Sequence, residues 1–242
     1  MTTSGFAYPG TELEALEEAR NYYDWILSKF APYLGSRVIE LGAGTGTFSE
    51  VLLSHPAVRE LVAVEPAENL FPRLANRLAG DRRVTLVRGA FGEAVTAACR
   101  ADSVVMVNVL EHVAADEALL RELYAALVPG GTLLLFVPAL PWLYGTLDEA
   151  VGHVRRYTKA SLAGRLRRAG FRPLRLFYFN APGVATWFVA GRLLRRRTLR
   201  PRDVRLYDRW VVPWVSWLER RLAPPMGQSL VAIAAKAERD SA

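Results

Sequence analysis

Apolar positions in this chain follow two alternating spacings. Over residues 11–30, Leu13, Leu16, Ala19, Tyr23, Ile26 and Phe30 recur every three or four positions, the spacing of one buried helix face. Thr11 followed by Glu14 is a capping-box pattern, and Pro32 and Gly35 end the helix. Beyond residue 36 the pattern changes. Short Val- and Leu-rich runs stand at 37–41 (RVIEL), 61–65 (LVAVE), 84–87 (VTLV), 103–107 (SVVMV) and 132–137 (TLLLFV). Helical spacing fills 47–54, a stretch ending at 79, and 116–127, and the VPGG sequence at 128–131 breaks the last of these. Strands alternating with helices in this way predict a parallel sheet covered on both faces. Residues 138–157 read as a loop with Pro138, Pro141, Gly145 and Gly152, 158–169 as a helix and 173–179 as a strand. An apolar, arginine-rich insert over 181–226 precedes a last strand at 230–235.

The 242 residues are 51% apolar and 23% charged, which suits one large domain and excludes a disordered chain, a collagen or a disulfide scaffold. Cys99 is the single cysteine, so no internal bridge forms and a reducing, cytoplasmic setting is expected. The opening MTTSGFAYPGTELEALEEAR has neither a basic start nor an apolar run and is not expected to act as a secretory signal. No apolar stretch approaches the ~18 residues of a spanning helix. Charge is split along the chain. Residues 1–150 carry 11 Lys+Arg against 19 Asp+Glu, a net of −8, and residues 151–242 carry 20 against 5, a net of +15. The two parts are expected to meet different partners.

Chemistry concentrates first at Glu40-Leu41-Gly42-Ala43-Gly44-Thr45-Gly46, between a strand and a helix. Glycine there permits a tight turn and lets the backbone approach a ligand. Glu65 closes the next strand, where a carboxylate can accept hydrogen bonds from both hydroxyls of a ribose. Two cofactor classes use this layout. The dinucleotide fingerprint G-x-G-x-x-G requires glycine at position 47, which here is Thr47. The spacing is instead G-x-G-x-G, preceded by an acid. Glu40 would repel a pyrophosphate and attract a cationic sulfonium or ammonium group.

At these residues the chain resembles the class I S-adenosylmethionine-dependent methyltransferases, over residues 20–180 and more weakly over the final strand. The resemblance implies a doubly wound, Rossmann-like α/β fold with a mostly parallel seven-stranded sheet, six strands parallel and a terminal one antiparallel. It implies a single domain: an N-terminal helix at 11–30, a core at 36–180, a helical insert at 181–226 and a final strand at 229–236. It further implies S-adenosyl-L-methionine as cofactor. Glu40, Gly42, Ala43, Gly44 and Gly46 match the motif lining its methionine part, and Glu65, with Pro66 beside it, matches the ribose-binding acid. Ala90 and Phe91 follow the third strand, where the family touches adenine; many members carry an acid there and this chain does not. Asn108, Val109 and Leu110, in NVLEHV, match the segment bordering the sulfonium. Tyr22 and Trp25 resemble an aromatic pair that caps the cofactor site, with the core as the other place for Trp25.

The acceptor is expected beyond the carboxyl end of the fifth strand, which places Tyr144, Asp148, His153, Arg155, Arg156 and Tyr157 near it. Among the candidate catalytic residues His153, Asp148 and Tyr157, His153 suits a general base because an imidazole titrates near neutrality; equally, it can fix the loop. Asp148 either orients His153 or caps a turn. Arg155 and Arg156 can hold a phosphate or carboxylate through paired donors, unless one belongs to a solvated basic face. Asn180, after the sixth strand, joins Tyr144, Arg155 and Arg156 as a candidate substrate contact. His112 either borders the site or supports its loop. No Cys/His/Asp/Glu group shows metal-ligand spacing in the sequence, so no metal is expected.

Residues 181–226 hold Trp187, Trp210, Trp214, Trp217 and ten arginines. The segment reads as a lid over an amphiphilic substrate, a surface lying on an anionic membrane, or a helical subdomain with solvated arginines. Nucleic acid is disfavoured: 28 of the 31 basic residues are arginine and no RNA-binding module is visible. The set NYYDWI, ELGAGTG, NVLEHV, DEAVGHVRRYT, FNAPG and GQSL is similar to bacterial methyltransferases that modify small or lipid-linked molecules. The expected function is methylation, oxygen first, of a small anionic or amphiphilic acceptor. The rivals are a membrane-peripheral enzyme of a polyprenyl or lipid-linked substrate and a non-catalytic cofactor-binding subunit.

Overall fold

The computed structural model describes residues 6–10, 12–90 and 100–238; Thr11 of the capping box and Phe91 of the adenine segment lie outside the described residues. The N-terminal helix is two helices, α1 (Glu12–Leu16) and α2 (Arg20–Phe30). The break has a tertiary cause. Asp208, from the insert, accepts the backbone N–H groups of Asn21 (3.2 Å) and Tyr22 (2.8 Å), so a fresh helix start is capped there by a carboxylate.

The chain then alternates as the apolar pattern requires: β1 (Arg37–Leu41), α3 (Thr47–Leu53), β2 (Glu60–Glu65), α4 (Phe71–Arg77), β3 (Val84–Arg88), β4 (Ala101–Val107), α5 (Asp116–Ala126) and β5 (Leu127–Pro138). β5 starts five residues earlier than the apolar run, because VPGG lies inside it. Gly131 permits this: a Cβ there would lie 2.9 Å from the Val128 carbonyl and 3.1 Å from that of Asp102. The expected loop at 138–157 is also partly ordered, with a short turn at Pro141–Leu143 and helix α6 (Thr146–Val151). After α7 (Lys159–Arg168) and β6 (Arg172–Phe179), the insert forms α8 (Ala181–Trp187), a π-helical turn (Phe188–Leu193), α9 (Pro201–Trp210) and α10 (Val212–Glu219), and β7 (Ser229–Ala235) ends the sheet.

Strand order is β3-β2-β1-β4-β5-β7-β6. β7 runs antiparallel to both β5 and β6, and the pairs among β1 to β5 are parallel. Successive strand residues divide between two cores. Val104 and Met106 pack with Leu120 and Leu123 of α5 and Leu162 and Leu166 of α7. Val105 faces the other way, with Ile26 and Phe30 of α2, Val51 and Leu52 of α3, and Val212 and Val215 of α10. The sheet is therefore doubly wound, and the insert packs Val212 and Val215 on one face and Val184 on the other. The order reverses between β1 and β4, the place where open sheets of this kind bind ligands. Among the described residues no helix is long and apolar enough to cross a membrane.

Candidate active site

The glycine loop sits at that reversal. Gly42, Gly44 and Gly46 have φ of +75°, +58° and +86°, a region that side chains with a Cβ enter only with strain. The N–H groups of Gly42 and Ala43 both donate to the Val64 carbonyl, which ties the loop to the end of β2. A Cβ on Gly42 would meet Val109 at 2.4 Å, whereas one on Gly44 finds only Leu13 at 3.6 Å. Gly44 thus presents bare backbone to the cavity.

Two carboxylates flank this backbone and both are buried. Glu65 accepts from the N–H of Gly44 (2.7 Å) and of Ala67 (2.8 Å). Burial still pushes its carboxyl above the ordinary range, against the pull of those donors. Glu40 accepts from the Ser49 hydroxyl, and burial pushes it up to about 8. A buried acid with so little compensation favours a cationic ligand. The loop and its acids therefore fit S-adenosylmethionine: bare backbone for close approach, and negative charge where that cofactor carries a sulfonium and an ammonium.

A cavity of about 1450 Å³ opens over the loop. Tyr22, Glu40, Gly42, Ala43, Gly44, Glu65, Pro66, Ala90, Asn108 and Val109 line it, and His153, Arg156 and Asn180 line its far side. Six expected site residues do not. Gly46 starts α3 and faces Leu74. Leu110 is fully buried in the core. Tyr157 is also buried, and its hydroxyl donates to Asp116 (2.9 Å). Arg155 pairs with the same Asp116 carboxylate at 2.6 Å. Arg155 and Tyr157 therefore anchor the loop to the start of α5. Tyr144 donates its hydroxyl to the His153 carbonyl (2.8 Å) and its own carbonyl accepts from Arg192 (2.7 Å), a clamp between loop and insert.

Asp148 is the sixth, and it organises the far side of the cavity from behind. One oxygen takes the Nδ1 of His153 (2.8 Å) and the Nε of Arg156 (2.7 Å), and the other takes the N–H of Gly145 (3.1 Å) and the indole of Trp187 (3.2 Å). Burial raises its pKa, but His153 and Arg156 outweigh that and hold the carboxyl below the usual range. It both orients His153 and caps the turn, so the two roles read from the sequence coexist. Arg156 is no solvated arginine: its side chain is 1% exposed and its guanidinium lies 5.0 Å over the Trp187 ring. His112 lines the cavity with its Nδ1 3.3 Å from the Gly152 carbonyl; burial lowers its pKa to about 4, so the ring is neutral at pH 7. Trp25 is a core residue, stacked on Phe179 at 3.7 Å.

Several residues of the site escape sequence reasoning. Asp208 and Glu219 belong to no motif in the sequence. Yet Asp208 pins Tyr22, and Glu219 accepts the N–H groups of Asn180 (3.1 Å) and Ala181 (2.8 Å). Gln228, whose role the sequence leaves blank, accepts from the Asn180 amide (3.0 Å). Gly183 packs tightly beside them: a Cβ there would lie 2.3 Å from the Gln228 amide oxygen and would force the two amides to shift. The FNAPG and GQSL motifs are therefore the two halves of one junction. Asn180 adopts φ +63° there, a rare conformation that Asn tolerates best after Gly.

A doubly wound sheet with an acid-flanked glycine loop at its reversal defines a class I S-adenosylmethionine-dependent methyltransferase domain. A model of the methyltransferase domain family matches residues 15–176, well over half of the chain, and the chain belongs to that family. An uncharacterised methyltransferase-like protein of Schizosaccharomyces pombe is 28% identical over 185 residues, 73% of this chain and 61% of that protein. Demethylmenaquinone methyltransferase of Clavibacter sepedonicus is 33% identical over 105 residues, 43% of this chain and 42% of that protein. The chain spans less than two thirds of the length of either relative. Among solved structures, a S-adenosylmethionine-dependent methyltransferase of Thermotoga maritima superposes with a TM-score of 0.62, covering 93% of this chain and 94% of that one at 20% identity. At that identity the likeness is one of fold.

Proposed function

We propose that the domain methylates an oxygen atom of an anionic, amphiphilic acceptor held beneath the insert. The observation that carries this reading is the extent of the cavity. Its volume of about 1450 Å³ exceeds the ~300–1,000 Å³ of a usual ligand pocket, so a second molecule fits beside the cofactor. The insert lines that extra space with Trp187, Val189, Leu194 and Leu199, and adds Arg196, Arg197 and Arg200. An apolar body with one negative group matches such a wall.

S-adenosylmethionine bound at the glycine loop would supply an electrophilic methyl group, with its sulfur as the leaving group. Glu40 and Glu65 hold the cationic cofactor, and cavity walls align the two reactants, which accounts for much of the rate. His153 takes the acceptor's hydroxyl proton on Nε2, while Asp148 keeps Nδ1 protonated and the ring oriented.

Turnover tests the reading. Hydroxylated prenyl or acyl phosphates should yield adenosylhomocysteine, and neutral analogues of the same length should yield far less. Tight cofactor binding with no product from any acceptor would favour a cofactor-binding subunit without catalysis. A second reading, contact with an anionic membrane, is favoured by Trp210, Trp214 and Leu222, which are 62%, 72% and 64% exposed beside the arginines of the insert. Flotation with anionic liposomes at low and high salt checks it; absence from the vesicles at both removes it.

A further inference from the structure

One buried carboxylate stands beside His153 at the acceptor end of the cavity. Glu111, on the turn Leu110–His112 after β4, is fully buried, and neither of its carboxylate oxygens has a hydrogen-bond partner among the described residues. A carboxylate in that position is costly unless a cation meets it. Arg156 acts on it electrostatically but is bonded to Asp148 and to the Ala139 carbonyl. His153 Nε2 lies 3.6 Å from Glu111 Oε1, too far for a hydrogen bond.

The histidines around it are oriented from behind. His112 Nδ1 faces the Gly152 carbonyl (3.3 Å) and His153 Nδ1 faces the Asp148 carboxylate (2.8 Å). Each oxygen can only accept, so each Nδ1 donates and Nε2 is left as the ring's other ligand atom. Ligating histidines are held in this way. One ligand atom from each of Glu111, His112 and His153 falls within a span of 4.8 Å. Ligand atoms held at ~2.1 Å from one ion sit about 3–4 Å apart, so side-chain shifts below about 1 Å close the site.

We propose that Glu111, His112 and His153 bind a divalent transition-metal ion at the acceptor end of the cavity. Two imidazoles and one carboxylate suit Zn²⁺ or Co²⁺ and leave coordination positions open, and both histidines border the cavity. The sequence hid this site because His153 stands 41 residues from His112. Without the ion, His153 Nε2 is free to act as the base of the methyl transfer proposed above; with it, the ion would hold the acceptor oxygen, the hydroxyl proton would leave to water, and His153 would serve as a ligand. That role rests on the acceptor reading; binding of the ion does not.

The test uses the full chain, stripped with a chelator, reloaded with Zn²⁺ and desalted. One equivalent of zinc per chain is expected by atomic emission. The chain has three histidines, so nitrogen-15 spectra should show zinc shifting His112 and His153 and leaving His55 unmoved. Glu111→Gln should lower zinc affinity at least about tenfold, and His55→Ala should leave it unchanged. Wild-type protein retaining only traces of zinc, equal shifts at all three histidines, or a folded Glu111→Gln binding as tightly as wild type would each overturn the site. Should Glu111→Gln not fold, the wild-type spectra decide alone. Stoichiometric zinc on these residues without product from any acceptor would remove the acceptor role and keep the metal site. Turnover with no zinc bound would do the reverse.

Discussion

At the glycine-loop end of the cavity the wall is backbone. Three glycines with positive φ, two N–H groups on one carbonyl and two buried carboxylates make the surface. At the acceptor end the wall is side chains in a network, with Asp148 joining His153, Arg156 and Trp187. The first end is built from segments that are near neighbours in sequence and carries an excess of acid. The second joins a loop that straddles the boundary between the acidic and basic parts to an insert from the part with net +15. Backbone shape is set by local residue choice and tolerates few alternatives. A side-chain network depends on all of its members and fails as a unit.

The two ends should respond differently to substitution, most strongly at Asp148. Asp148→Ala leaves the Arg156 charge buried without its carboxylate, and urea denaturation should show a loss of ~3–5 kcal/mol. A loss near zero would mean that the acceptor end is not held by this network. At the other end, Gly44→Arg should lower cofactor affinity at least ~100-fold in calorimetry, about 2.7 kcal/mol, because a side chain then enters the cavity from a strained backbone. Unchanged affinity would place the cofactor elsewhere.

A pH series sharpens the electrostatic side. Glu40 is neutral in the empty site below about 8, and only its ionised form attracts a cation. The ratio of wild-type to Glu40→Gln cofactor affinity should therefore climb as pH rises, approaching tenfold per unit, and level off above about 8. A flat ratio from pH 6 to 9 would take Glu40 away from the cationic part of the ligand. The smallest effect belongs to the exposed arginines. Arg196→Ala combined with Arg197→Ala should raise KM for an anionic acceptor ~3–10-fold and leave cofactor affinity unmoved. An equal change in KM for a neutral acceptor would deny them a role in charge recognition.

Legibility followed the same divide. Glu40, Gly42, Gly44 and Glu65 were readable because their meaning is local: a strand, a turn that needs positive φ, and an acid at the end of the next strand. For Arg155 and Tyr157, sequence gives the loop but cannot say which way each side chain turns; both turn to Asp116. The single helix expected over 11–30 became two because Asp208, 187 residues from Asn21, supplies a cap that no window of local sequence contains.

By itself the sequence determined the alternation of strands and helices, the position of the glycine loop and the acid beside it, and the unequal charge of the two parts. Each of these follows from residues within a turn or two of one another. Only the tertiary structure decided which loop residues face the cavity, that Gln228 and Asn180 form one junction, and that Glu111 meets His112 and His153. Those outcomes depend on how distant segments pack, and burial, which removes water as a partner, forces polar groups from far apart in the chain to satisfy one another.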